Sequence, residues 1–89
     1  MNQHISHPEI LKRLRRVEGH LRGVIEMIES HRDCVDVAQQ FQAIENAVSK
    51  AKKAFIHDHI DHCLDEVNLP SSKAGRSSIE DFKQITKYL

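Results

Sequence analysis

Residues 33–66 read DCVDVAQQFQAIENAVSKAKKAFIHDHIDHCLDE, and the apolar spacing within them decides the fold. Val37, Phe41, Ile44, Val48, Ala51 and Phe55 recur at alternating steps of four and three, the signature of one apolar helix face. No glycine or proline occurs from Asp33 to Leu69, so nothing breaks the pattern, and Asp33 can cap its start. The spacing predicts one helix of about 34 residues, roughly 50 Å long.

The same pattern appears upstream. Ile10, Leu14, Val17, Leu21, Val24 and Ile28, reinforced by Leu11 and Ile25, predict an amphipathic helix over residues 8–29. Ser6 or His7 before Pro8 supplies its start. The pattern breaks at Ser30-His31-Arg32-Asp33, a short connection that leaves His31 solvated. Downstream, residues 68–77 read as a turn-rich linker. A short third helix over 78–87 then carries Ile79, Phe82 and Ile85. The expected fold is all-α, an antiparallel helical hairpin plus a short third helix, in one domain over residues 1–89. A helix of about 22 residues folded back on one of about 34 leaves roughly 18 Å of the longer one uncovered, and two helices close no core. An antiparallel four-helix-bundle dimer is the simplest remedy, because most homo-oligomers close by two-fold symmetry. A helical oligomerisation module without further chemistry is the rival reading.

With 89 residues, the chain buries only about 60–65% of its surface when folded alone, which again favours association. No apolar run approaches the roughly 20 residues that span a bilayer, and the N-terminus lacks the pattern of a secretory signal. Both point to the cytoplasm and away from a membrane. There two cysteines serve as metal ligands, redox thiols or packing groups more often than as a disulfide. The formal net charge is zero, but it is unevenly spread. Lys12, Arg13, Arg15, Arg16 and Arg22 face a single acid, Glu18, and Lys50, Lys52 and Lys53 cluster mid-chain. Arg13 and Arg16 flank the apolar stripe of the first helix, with Arg15 nearby, and Lys50 and Lys53 extend the patch along the second. Such a surface can neutralise several phosphates of a nucleic acid. With only Tyr88 and three phenylalanines, readout rests on DNA shape rather than stacked bases. No arrangement of nucleophile, base and oxyanion donors can be read, so an enzyme is not expected.

Seven histidines are an excess for this length, and His57, His59 and His62 crowd around Cys63 among Asp58, Asp61 and Asp65. His59 and Cys63 are four apart and share one helix face within a turn. Cys34 lies 25 positions before His59, about 37 Å along a continuous helix. One chain therefore cannot bring all three to one ion, whereas two long helices packed antiparallel about a two-fold axis carry Cys34 of one subunit to His59 and Cys63 of the other. The same span forbids a Cys34–Cys63 disulfide within the chain. Two thiolates and an imidazole suit Cu(I) or Zn(II), or with further nitrogen ligands Ni(II) or Co(II), and not Mg(II) or Ca(II). His20 sits near the apolar stripe, where it packs or hydrogen-bonds rather than ligates. His4 and His7, taken alone, belong to an unstructured arm.

Gly19-His20-Leu21-Arg22-Gly23, Met27-Ile28-Glu29-Ser30, Cys34-Val35-Asp36-Val37, Gln40 with Ala43-Ile44, and His57-Asp58-His59-Ile60-Asp61-His62-Cys63 together resemble the CsoR/RcnR family of bacterial metal-responsive repressors. The likeness covers residues 9–67 and continues weakly through Ile79-Glu80-Asp81-Phe82. It implies antiparallel dimers paired into a homotetramer, no helix-turn-helix, and a metal-free form that holds operator DNA and releases it on binding metal. It also implies Cu(I) bound by Cys34, His59 and Cys63, with Arg13 and Lys50 among the DNA contacts. Copper-sensing members carry a Tyr before the first ligand Cys and a Glu in the third helix as outer-shell partners of the His. Here those places fall to Asp33 and to Glu80 or Asp81. Nickel- and cobalt-sensing relatives recruit an N-terminal His, for which His4 is the counterpart, so a Ni(II)- or Co(II)-responsive repressor is the alternative. Other relatives sense persulfides through two cysteines, or formaldehyde through an N-terminal Pro and a Cys. Asn2 stands where that Pro would be, and the intact His59 favours metal over such thiol chemistry.

Overall fold

The computed structural model describes residues 7–67 and 72–89, with the side chains of 63, 66–67 and 72–78 excepted. Among these residues there is no strand. Helix α1 spans His7–Glu29, α2 spans Cys34–Val67 and α3 spans Ser72–Ile85, followed by a 3-10 turn over Thr86–Tyr88. The all-α hairpin read from the sequence is what forms.

α1 tolerates Pro8 because the first helical turn has no intrahelical partner for its N–H groups, and Glu9 in that turn complements the helix dipole. Its C-terminus closes with paired backbone bonds. Arg32 N–H donates to Met27 C=O at 2.9 Å and His31 N–H to Ile28 C=O at 3.1 Å. This is the Schellman arrangement, whose C′ residue must be left-handed, and His31 takes that conformation with φ 59°. Asp33 then precedes α2, and Val37 N–H donates to its carbonyl at 3.1 Å.

α3 departs from expectation. It begins at Ser72, so most of the linker expected over 68–77 is helical. Lys73, Ala74 and Arg76 are good helix formers, and a single Gly75 costs only about 1 kcal/mol relative to Ala. The density of Ser and Gly hid a segment whose propensity is adequate. Residues 68–71 lie outside the described residues.

The chain divides into two compact units, one of residues 8–52 and one of residues 53–89 with the N-terminal segment through His7. In the first, α1 and the leading part of α2 form the antiparallel hairpin. Its core is Val17, Val24 and Ile44, with Val37 and Ala47 packed against it. Only alternate members of the four-three pattern are inside. Leu14, Leu21, Ile28, Phe41 and Val48 remain between 43% and 53% exposed. In the second unit Ile56 is fully buried, at 2% exposure. The His7 ring stacks on Phe55 at 5.2 Å, and Phe82 and Ile85 are half-buried. No helix among the described residues is long and apolar enough to cross a membrane.

Candidate functional site

The residues expected to bind metal and DNA fall into two groups. Cys34 opens α2 as an exposed free thiol. It borders a largely apolar cavity of about 480 Å³ that Ile28, His31, Arg32, Val37, Ala38 and Phe41 also line. His59 is half-buried further along the same helix, with Cys63 one turn beyond it. The i, i+4 register aims both positions to one face of α2. His62 and Asp58 are half-buried alongside, whereas His57 is exposed.

Among the described residues, no three His, Cys, Asp or Glu side chains converge on a metal-sized site. Cys34 and His59 are both on α2, which runs unbroken through Val67. The residue types nonetheless fit a soft or borderline ion, His59 and Cys63 standing one helical turn apart on α2 and Cys34 being an exposed thiol at its start. Asp33, Glu80 and Asp81, expected around the His ligand, are all exposed. His4 lies outside the described residues.

Two histidines are placed more firmly than the sequence suggested. His7 does not belong to an unstructured arm. It is the first residue of α1, its ring lies nearly parallel to that of Phe55 at 6°, and its Nε2 is 3.9 Å from Asp58 Oδ2. Pro8 explains this, since a proline in the first turn pre-forms the helix that His7 opens. His20 hydrogen-bonds, as its position by the apolar stripe implied, its Nε2 donating to Gln40 Oε1 at 2.5 Å. His31 is exposed in the turn as expected, but its left-handed backbone had no signal in the sequence, because glycine usually marks that place.

The basic residues divide. Arg13, Arg16 and Lys50 line one cavity of about 280 Å³, together with Val17, His20 and Ala47. Arg15 and Lys53 are exposed but not part of that lining. Successive helical residues are turned by about 100°, so Arg13 and Arg16 share an edge that Arg15 leaves. No acidic side chain lines the cavity.

Residues 6–88 match the model of a family described as metal-sensitive transcriptional repressor. The copper-sensing transcriptional repressor CsoR of Mycobacterium bovis is 33% identical over 78 residues, which cover 88% of this chain and 64% of the relative. The chain thus spans about 64% of the length of that relative. The copper-sensing transcriptional repressor CsoR of Bacillus subtilis is 35% identical over 81 residues, covering 89% of this chain and 80% of the relative. Among solved structures, the copper-sensing repressor CsoR with Cu(I) from Geobacillus thermodenitrificans superposes with a TM-score of 0.79 at 27% identity, over 99% of this chain and 91% of the other. The nickel-responsive transcriptional regulator InrS has the same fold, with a TM-score of 0.79 at 24% identity over 99% and 97% of the two chains. All of these relatives are transcriptional regulators.

Proposed function

Because the chain belongs to the metal-sensitive transcriptional repressor family, we propose that it holds operator DNA when metal-free and releases it on binding Cu(I) through Cys34, His59 and Cys63. The observation that carries the metal half is the pairing of His59 and Cys63 on one face of an unbroken α2 that begins with an exposed free Cys34. Named copper-sensing relatives support the choice of ion. Cys34, His59 and Cys63 would hold the ion, and the ion would supply the link between them. Twenty-five positions of helical rise, about 37 Å, require Cys34 to come from a second subunit. The row Leu14, Leu21, Ile28, Phe41 and Val48, each about half exposed, is the surface by which the subunits pair, since burying the remaining half of each side chain contributes about 1 kcal/mol. Dimers then associate into a tetramer. Asp33 and Glu80 or Asp81 act as outer-shell partners of the metal ligands.

Arg13, Arg15, Arg16, Lys50 and Lys53 supply the DNA face, repeated by symmetry in the oligomer. Linkage makes the two halves reciprocal. Whatever factor metal takes from DNA affinity, DNA takes from metal affinity. A Ni(II)- or Co(II)-responsive variant of this mechanism is favoured by one observation. His7, three positions after His4 in the sequence, stacks on Phe55 and lies beside Asp58, next to the His-rich segment of α2.

Cys34→Ala and Cys63→Ala test the division of roles. Both variants are expected to bind operator with the affinity of the native protein and to keep it when Cu(I) is added, as read by fluorescence anisotropy of labelled operator. Loss of operator affinity with retained fold and metal response refutes the assignment.

A further inference from the structure

The cavity at Arg13, Arg16 and Lys50 is more specific in its construction than a basic surface needs to be. Arg13, Arg16, Val17 and His20 fall on one edge of α1 at spacings of three and four, and Ala47 and Lys50 sit three apart on the facing edge of α2. Val17, 8% exposed, belongs to the hairpin core, and half-buried Ala47 packs against that core. Ala47 is small, and this leaves the hollow open between the two helices. His20 is held by its bond to Gln40 across the helix pair, so its ring is fixed rather than free to swing. Three formal positive charges meet there without a lining carboxylate. At about 280 Å³ and open to solvent on one side, the hollow is large enough to admit one tetrahedral anion.

We propose that this cavity is a seat for a single phosphate group, clamped by the guanidinium groups of Arg13 and Arg16 and the ammonium of Lys50, with His20 as its fixed wall. Arginine presents paired N–H donors that match two phosphate oxygens, and lysine adds a point charge. The inference deepens the DNA-binding reading of the same face. It identifies the position where a phosphate is gripped rather than merely attracted, and it extends to free inorganic phosphate, which has the same chemistry.

Inorganic phosphate is titrated into the metal-free protein, with chloride adjusted to hold ionic strength constant, and the His20 ring proton resonances and the heat of binding are followed. One phosphate per chain is expected to bind saturably. Lys50→Gln and Arg16→Gln are expected to weaken it about tenfold, as befits loss of a charged hydrogen bond. Lys52→Gln and Arg22→Gln, which remove the same charge from exposed positions outside the cavity, are expected to change it less than about twofold on the weak scale of exposed charges. Ala47→Leu fills the hollow with every charge kept and is expected to abolish saturable binding. The charge variants carry the test if Ala47→Leu disturbs the hairpin. Unsaturable binding, or equal weakening by Lys50→Gln and Lys52→Gln, overturns the proposal whether or not operator DNA still binds.

A second arm identifies the source of the phosphate. Competition between inorganic phosphate and operator at constant ionic strength, with operator affinity also weakened about tenfold by Arg16→Gln, identifies a DNA phosphodiester as the occupant. Saturable phosphate binding with operator affinity untouched by Arg16→Gln identifies free phosphate. That result supports the seat while removing it from the DNA face.

Discussion

His31 holds φ 59° in the turn that closes α1, with its side chain exposed. A left-handed conformation costs an L-residue about 1–2 kcal/mol, and glycine escapes that cost while losing roughly 0.5–1 kcal/mol of chain entropy on folding. His31→Gly is therefore expected to stabilise the protein by about 0.5–1 kcal/mol, seen as a higher denaturant midpoint at unchanged slope. A lower midpoint shows that the imidazole makes a contact that outweighs its backbone strain. At this scale the sequence was informative where chemistry follows from spacing along one helix. His59 and Cys63 are neighbours on α2 because four residues make about one turn, and that needs no tertiary knowledge. The cavity joining Arg13, Arg16 and His20 to Lys50 was not legible, because it depends on the register of α1 against α2. That register is set by the Ser30–Asp33 turn and the burial of Val17, Val24 and Ile44.

α1 and α2 were legible as elements because their four-three apolar spacing is long and unbroken. Which half of that spacing is buried was not. Val17 and Val24 are inside while Leu14, Leu21 and Ile28 are exposed. The spacing marks both rows alike, and a two-helix hairpin has only one line of contact to offer. α3 was misplaced at its start for the opposite reason, since its serines and Gly75 mask an adequate helix former. Gly19 shows what an element can gain. It lies exposed within α1, and a Cβ added there meets nothing within 4 Å. Gly19→Ala is expected to stabilise α1 by about 0.5–1 kcal/mol, raising the thermal midpoint by several degrees at equal protein concentration. If the variant is instead less stable, or dissociates more readily, another subunit approaches that backbone too closely to admit a methyl group.

For the molecule as a whole, the half-covered hairpin and the proposed metal site call for the same remedy. A hairpin that leaves Leu14, Leu21, Ile28, Phe41 and Val48 about half exposed is completed by the proposed partner subunit, and so is the proposed site, whose Cys34 lies 25 positions from His59. Two-fold pairing answers both. Mixing Cys34→Ala chains with Cys63→Ala chains is expected to restore Cu(I) binding. In each mixed dimer one site collects both defects and the other is whole, so verified heterodimers recover about half of the native capacity. A mixed dimer with no recovered binding shows that all the ligands come from one chain and that α2 breaks on metal binding. Coupling between metal and DNA is the centre of the proposed function, and affinity for metal alone does not test it, because divalent affinities follow a common order in any such site. The decisive measurement is operator anisotropy during anaerobic titration of the reduced protein with Cu(I), beside Ni(II) and Co(II). Operator is expected to be released near one Cu(I) per subunit, with its affinity lowered at least about tenfold, a coupling of about 1.4 kcal/mol or more. An operator complex that survives saturation with all three metals contradicts the proposed function.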